Sequence, residues 1–126
     1  MMNGTPAIPA YYAALPGLEI IGQVGVDRIR AASTVMTRRL LDLVDAAGFR
    51  SIASRDPERL AGTVAVDVPE AARVAKILNA RDFVVDYRPG VGIRLSPHFY
   101  NTMDEIDAMM AELARIVRTE SNAAGA

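Results

Sequence analysis

Phe83-Val84-Val85-Asp86-Tyr87-Arg88-Pro89-Gly90-Val91-Gly92-Ile93-Arg94-Leu95-Ser96 is the stretch on which the fold turns. Residues 83–87 carry the β-branched and aromatic side chains that favour a strand. Arg88-Pro89-Gly90-Val91 reads as a turn, because proline presets φ and glycine supplies a positive φ beside it. Residues 92–96 return as a second strand. Ile93 and Leu95 share one face by period two, and Arg94 points to the other. If helices cover the Ile93/Leu95 face, Arg94 looks away from the core.

Upstream the same period recurs. Residues 62–68 alternate, with Val64, Val66 and Val68 on one side and Thr63, Ala65 and Asp67 on the other. Residues 49–54 form a short strand before the turn Asp56-Pro57-Glu58-Arg59. Helical spacing governs the rest. Over 26–47, Ile29, Met36 and Leu43 recur at seven, Ala32, Leu40, Val44 and Ala47 widen the stripe, and Gly48 stops the helix. Pro69 suits the N1 position of a helix over 69–79 whose apolar side is Ala72, Val74, Ile77 and Leu78. Thr102-x-x-Glu105 spells a capping box for a last helix over 103–118, striped with Met103, Ile106, Met109, Met110, Leu113, Ile116 and Val117. The order is helix, helix, strand, strand, helix, strand, strand, helix. It predicts an α+β fold: a small, mostly antiparallel sheet of 3–4 strands covered on one face by helices and preceded by a long linking helix. Residues 1–25 form an N-terminal segment, 26–120 the α+β domain and 121–126 a flexible tail.

The N-terminal segment is unusual. Residues 6–26 carry one charge, Glu19. They read as a short helix or irregular turn over 6–16 and a second brief helical piece over 18–22. Pro6, Pro9, Pro16, Gly17, Gly22 and Gly25 argue against the unbroken ladder a membrane span requires. The apolar stretch then needs another cover. Left without one, it should be disordered, swapped onto a neighbour or buried in a dimer.

Composition narrows the chemistry. The 126 residues hold 14 basic and 15 acidic side chains, for a net charge of -1. That balance argues against a dedicated nucleic-acid binder. There is no cysteine, hence no disulfide frame and no thiolate nucleophile. One histidine, His98, leaves a transition-metal site short of soft ligands. No basic n-region precedes an apolar run, so the expectation is a cytoplasmic protein with no membrane partner. The basic set is lopsided, with thirteen arginines and a single lysine, Lys76. Lys76 reads as a solvated residue on the helix after Pro69. Asp104, Glu105 and Asp107 fit an acidic first turn, and Arg38-Arg39 a solvated helix edge. His98, after Pro97, suits a structural hydrogen bond or a substrate contact. An outward arginine fixed on a strand is a good fork for a carboxylate; the plainer reading of its spacing is a surface arginine in a cross-strand ion pair.

Asp86-x-Arg88-Pro89 followed by Ile93-Arg94-x-Ser96-Pro97-x-x-Tyr100-Asn101 resembles the C-terminal segment of class V aminotransferase-type enzymes. These are pyridoxal-phosphate (PLP) enzymes of fold type I, and the nearest spelling is that of kynureninases. Gly4-Thr5-Pro6, the apolar helix, Gly25, Ile29-Arg30 and the long helix extend the likeness over about residues 4–118. There they mark the passage from the large PLP domain to the small C-terminal one. The resemblance implies that Arg94 forks the α-carboxylate of an amino-acid substrate, with His98 nearby. It implies that Thr5 sits by the cofactor phosphate, reaching the partner subunit's PLP in a homodimer. Tyr100 would be a packing tyrosine, and Asn101 a cap of the last helix, though Thr102 could serve equally. The lysine that binds PLP lies upstream in that family, in the large domain. No PLP is therefore expected on this chain alone, which reads as a C-terminal piece with no catalytic residue of its own. Cysteine desulfurases of the group carry a reactive cysteine before the arginine strand. Its absence here disfavours desulfuration and leaves kynureninase-like C–C hydrolysis as the best match. A second class stays open: a non-enzymatic α+β module that binds a free amino acid at a dimer interface.

Overall fold

The computed structural model describes residue 4 and residues 6–124. They form two units that divide between residues 31 and 32. The elements are α1 (Ile8–Val24), α2 (Val26–Ala46), β1 (Arg50–Ser51), β2 (Val64–Asp67), α3 (Ala71–Asn79), β3 (Asp86–Arg88), β4 (Gly92–Leu95) and α4 (Met103–Ala124). The α+β architecture is as expected: four helices and one four-stranded sheet, antiparallel throughout, in the order β1-β2-β4-β3.

In the first unit, α1 is one helix where two pieces were expected. Pro9 occupies its first turn and Pro16 lies inside it. An internal proline removes one ladder bond and crowds the carbonyl four residues back, a cost that α1 bears at Pro16 without ending. None of its residues is buried, and Ile8, Tyr11, Tyr12, Leu15, Leu18 and Ile20 are exposed. No helix among the described residues is long and apolar enough to cross a membrane.

The second unit holds the core. Leu40 and Val44 of α2, Val64 and Val66 of β2, Val74 and Leu78 of α3, Ile93 of β4 and Leu113 of α4 are its most buried members. The stripe on α2 is rotated from the expected one. Met36, Thr37, Leu40, Leu41 and Val44 are buried, whereas Leu43 is half-buried and Ala47 exposed. Thr37 tolerates full burial because its hydroxyl donates to the Ser33 carbonyl at 2.8 Å. Helix α2 closes as a Schellman motif: the Gly48 N–H donates to the Asp45 carbonyl, the Phe49 N–H donates to that of Val44, and Gly48 has φ 73°.

Four strand and helix boundaries differ from those expected. The first strand shrinks to Arg50–Ser51. Residues 83–85 do not pair in the sheet, because Asn79 holds them at the end of α3. Its Nδ2 donates to the Val85 carbonyl at 3.0 Å and its Oδ1 accepts from the Val85 N–H at 3.3 Å. Helix α3 starts at Ala71, since Glu70 takes a left-handed conformation (φ 51°) and leaves Pro69 outside the helix. At the C-terminus, α4 runs past residue 118 to Ala124. Its start is the expected capping box. The Thr102 N–H donates to Glu105 Oε2 at 2.7 Å, and the Glu105 N–H donates to Thr102 Oγ1 at 3.2 Å.

Candidate carboxylate site on the outer face of the sheet

Strand β4 lies between β2 and β3, so Arg94 springs from an interior strand. Ile93 and Leu95 point into the core and Arg94 to the opposite face, as period two requires. The register pairs Arg94 with Ala65 on one side and with Asp86 on the other. Arg88 shares the Asp86 face two residues along β3. Arg88, Asp86 and Arg94 therefore form one cluster. Arg94 donates to Asp86 Oδ2 from Nε at 2.8 Å and, in closer contact, from Nη2. Arg88 Nε donates to the same oxygen at 3.1 Å. These bonds from Arg94 first, and the charge of Arg88 beside it, hold the Asp86 carboxyl below the usual carboxylate range. The Arg94 side chain stays 39% exposed, and its Nη1 has no partner among the described residues. Two cations against one anion leave the cluster with net positive charge.

The remaining candidates lie elsewhere or are unengaged. His98 is exposed, and its imidazole makes no hydrogen bond among the described residues. It stacks on Tyr100 with ring centroids 4.8 Å apart. The structural hydrogen bond foreseen for it is absent there because the neighbouring partner is an aromatic ring. Tyr100 is 72% exposed, so it does not pack in the core of this chain. It borders a hollow of about 550 Å³ with Phe83, Val84, Leu95, Pro97 and Met109. Asn101 does not cap α4, for Thr102 takes that place. Asn101 Oδ1 instead accepts from the His98 N–H at 2.8 Å and fixes the turn before the helix. Thr5 lies outside the described residues. Lys76 is exposed on α3. Neither Lys76 nor Arg94 borders this hollow or a second one of about 540 Å³ beside β1.

The cross-strand ion pair that the sequence offered for Arg94 is present, but the identity of its partner, and the partner of Arg39, were not legible. Asp86 was part of the motif without a role. Arg39, expected at a solvated helix edge, forks Asp107 of α4 with Nε–Oδ1 2.9 Å and Nη2–Oδ2 2.8 Å. No local spacing signals that pair, because the two residues meet across helices. Asp107 is held below the usual carboxylate range by the Arg39 hydrogen bonds. Glu105 is lowered by the Thr102 backbone N–H and by Asn101.

These three carboxyls set an acid limit. Each releases its proton more readily folded than unfolded, so the unfolded chain binds more protons below about pH 4. Their stabilisation is fully present above that value and is lost as pH falls through the lower folded-state values. Circular-dichroism melts should show a steady Tm from pH 7 to 5 and a fall below about pH 4. The fall should be smaller in Asp107→Asn; an equal slope in that variant would contradict the assignment.

The comparisons with known proteins agree with the motif and the fold. Residues 29–113 match the family described as the kynureninase C-terminal domain. The kynureninase of Bacillus thuringiensis subsp. konkukian is 33% identical over 122 residues, covering 93% of this chain and 28% of that protein. An uncharacterized aminotransferase of Bacillus subtilis is 31% identical over 112 residues, covering 89% of this chain and 30% of that one. Among solved structures, the apo cysteine desulfurase of Thermococcus onnurineus superposes with a TM-score of 0.81 at 23% identity. It covers 94% of this chain and 33% of that chain, and shows the shared fold. The chain belongs to the kynureninase C-terminal domain family of PLP-dependent class V-like enzymes. It spans under a third of the length of the curated relatives it matches.

Proposed function

We propose that this chain is the small domain of a PLP-dependent enzyme acting on an amino-acid substrate, in which Arg94 forks the substrate α-carboxylate. The observation that carries this reading is the outward Arg94 on an interior strand, held by Asp86 on its Nε/Nη2 edge, with no partner on Nη1 among the described residues. A guanidinium so placed binds a carboxylate end-on and fixes the substrate's Cα bonds relative to whatever group acts on them, which is a positioning role. His98 is a second, lesser substrate contact. Lys76, the one lysine, is exposed and borders neither hollow, so on this reading the lysine that binds PLP belongs to the large domain. PLP would serve as the electron sink, held by the remainder of the enzyme. Helix α1 supports that larger assembly, because a helix apolar on all sides belongs inside a bigger body. A homodimer with Thr5 near the partner subunit's cofactor completes the proposal. The motif spelling and the absent cysteine favour kynureninase-like C–C hydrolysis.

The isolated chain should then be inactive. Borohydride treatment after mixing with PLP should give no stoichiometric adduct on Lys76, and free amino acids should leave Tm nearly unchanged. A stoichiometric Lys76 adduct with turnover would make the chain an enzyme by itself. A large, specific Tm rise with one amino acid would make it a ligand-sensing module.

A further inference from the structure

We infer that Asp86 is a positioning residue for Arg94: it occupies the Nε/Nη2 edge of the guanidinium and thereby presents the Nη1/Nη2 end to an incoming carboxylate. This rests on the carboxylate reading of Arg94. A guanidinium has two edges that can take a carboxylate bidentately, the side edge and the end. In the cluster all contact with Asp86 is through the side edge. The end edge keeps Nη1, which has no partner among the described residues, and the face is open enough to admit a ligand.

Arg88 completes the device. Its Nε donates to the same Oδ2, so three N–H groups from two cations converge on one oxygen. Asp86 is thereby held by two elements of the hairpin, and its own charge is more than offset. A second carboxylate entering at the far end of Arg94 meets a cluster with one net positive charge. An amide oxygen placed where Oδ2 lies could accept the same three bonds. A methyl group could accept none, and would free the guanidinium to rotate.

These features separate positioning from competition. If Asp86 merely competed for Arg94, removing it would strengthen anion binding, because a repelling charge is also lost. If it positions Arg94, removing it weakens binding, and asparagine restores it. The test follows the arginine side-chain N–H resonances of the 126-residue chain at pH 5.5 during titration with acetate. Wild type should show saturable shifts at Arg94 and at its neighbour Arg88, and those at Arg88 should be lost in Arg94→Ala. Asp86→Ala should bind acetate several-fold more weakly, and Asp86→Asn within about twofold of wild type. Equal or tighter binding by Asp86→Ala would overturn the inference. So would the absence of any acetate effect at Arg94 in wild type, a result that leaves the clamp itself to be judged by substrate KM in the holoenzyme.

Discussion

Arg94→Ala, introduced into the holoenzyme that contains this chain, is expected to raise KM for the amino-acid substrate roughly 30- to 150-fold. A charge-assisted hydrogen bond contributes about 1.5–3 kcal/mol, and a two-bond fork on a partly exposed guanidinium sums to about 2–3 kcal/mol after its exposure is discounted. The turnover number should fall less, because the carboxylate is bound in the ground state and the transition state alike. Arg94→Lys should recover little, since a single ammonium cannot reproduce the planar fork. An amine substrate lacking the carboxylate should be handled equally by wild type and variant. Steady-state kinetics on the three proteins check this, and an unchanged KM in Arg94→Ala would remove the clamp from the account.

Gly92→Ala should have the largest effect on the fold. Gly92 opens β4 with φ 104°, a conformation that side chains rarely adopt. A Cβ there would lie 2.3 Å from the Val66 carbonyl oxygen of β2. The obstruction is backbone of the neighbouring strand, so no rotamer change relieves it. Backbone strain of about 1–3 kcal/mol adds to the clash, for a total loss of about 3–5 kcal/mol. That is a large part of the stability of an ordinary domain. Urea unfolding should show the loss, with Gly90→Ala milder because a Cβ at Gly90 meets nothing within 4 Å. Equal stability of Gly92→Ala and wild type would contradict the register of β2 and β4.

Much of the fold was legible because its signals are local. Period two placed Ile93 and Leu95 inside and Arg94 outside, and Thr102-x-x-Glu105 marked the start of α4. Where the reading failed, a non-local contact or a single residue's geometry decided. Asn79 pulls residues 83–85 away from the sheet despite their strand-like side chains. Pro16 sits within α1, where a count of helix breakers predicted a gap. The partner of Arg94 illustrates the same limit at the site. The loop between β3 and β4 has three residues, 89–91, and pairs Arg88 with Gly92. A two-residue loop would pair Asp86 with Ile93 and turn the carboxylate to the core side. One residue of register thus decides whether Asp86 meets Arg94 at all, and the turn residues alone do not fix it.

Arg94 also shows how the two levels combine. The sequence motif marks it, the sheet aims it, and Asp86 with Arg88 leaves one end of it open. This open end is where the substrate carboxylate should bind. A crystal structure of the holoenzyme with an amino-acid inhibitor tests it most directly. The two carboxylate oxygens should lie on Arg94 Nη1 and Nη2 at about 2.7–2.9 Å, with Asp86 still on the Nε edge. A carboxylate bound elsewhere, with the free end of Arg94 facing solvent, would contradict it.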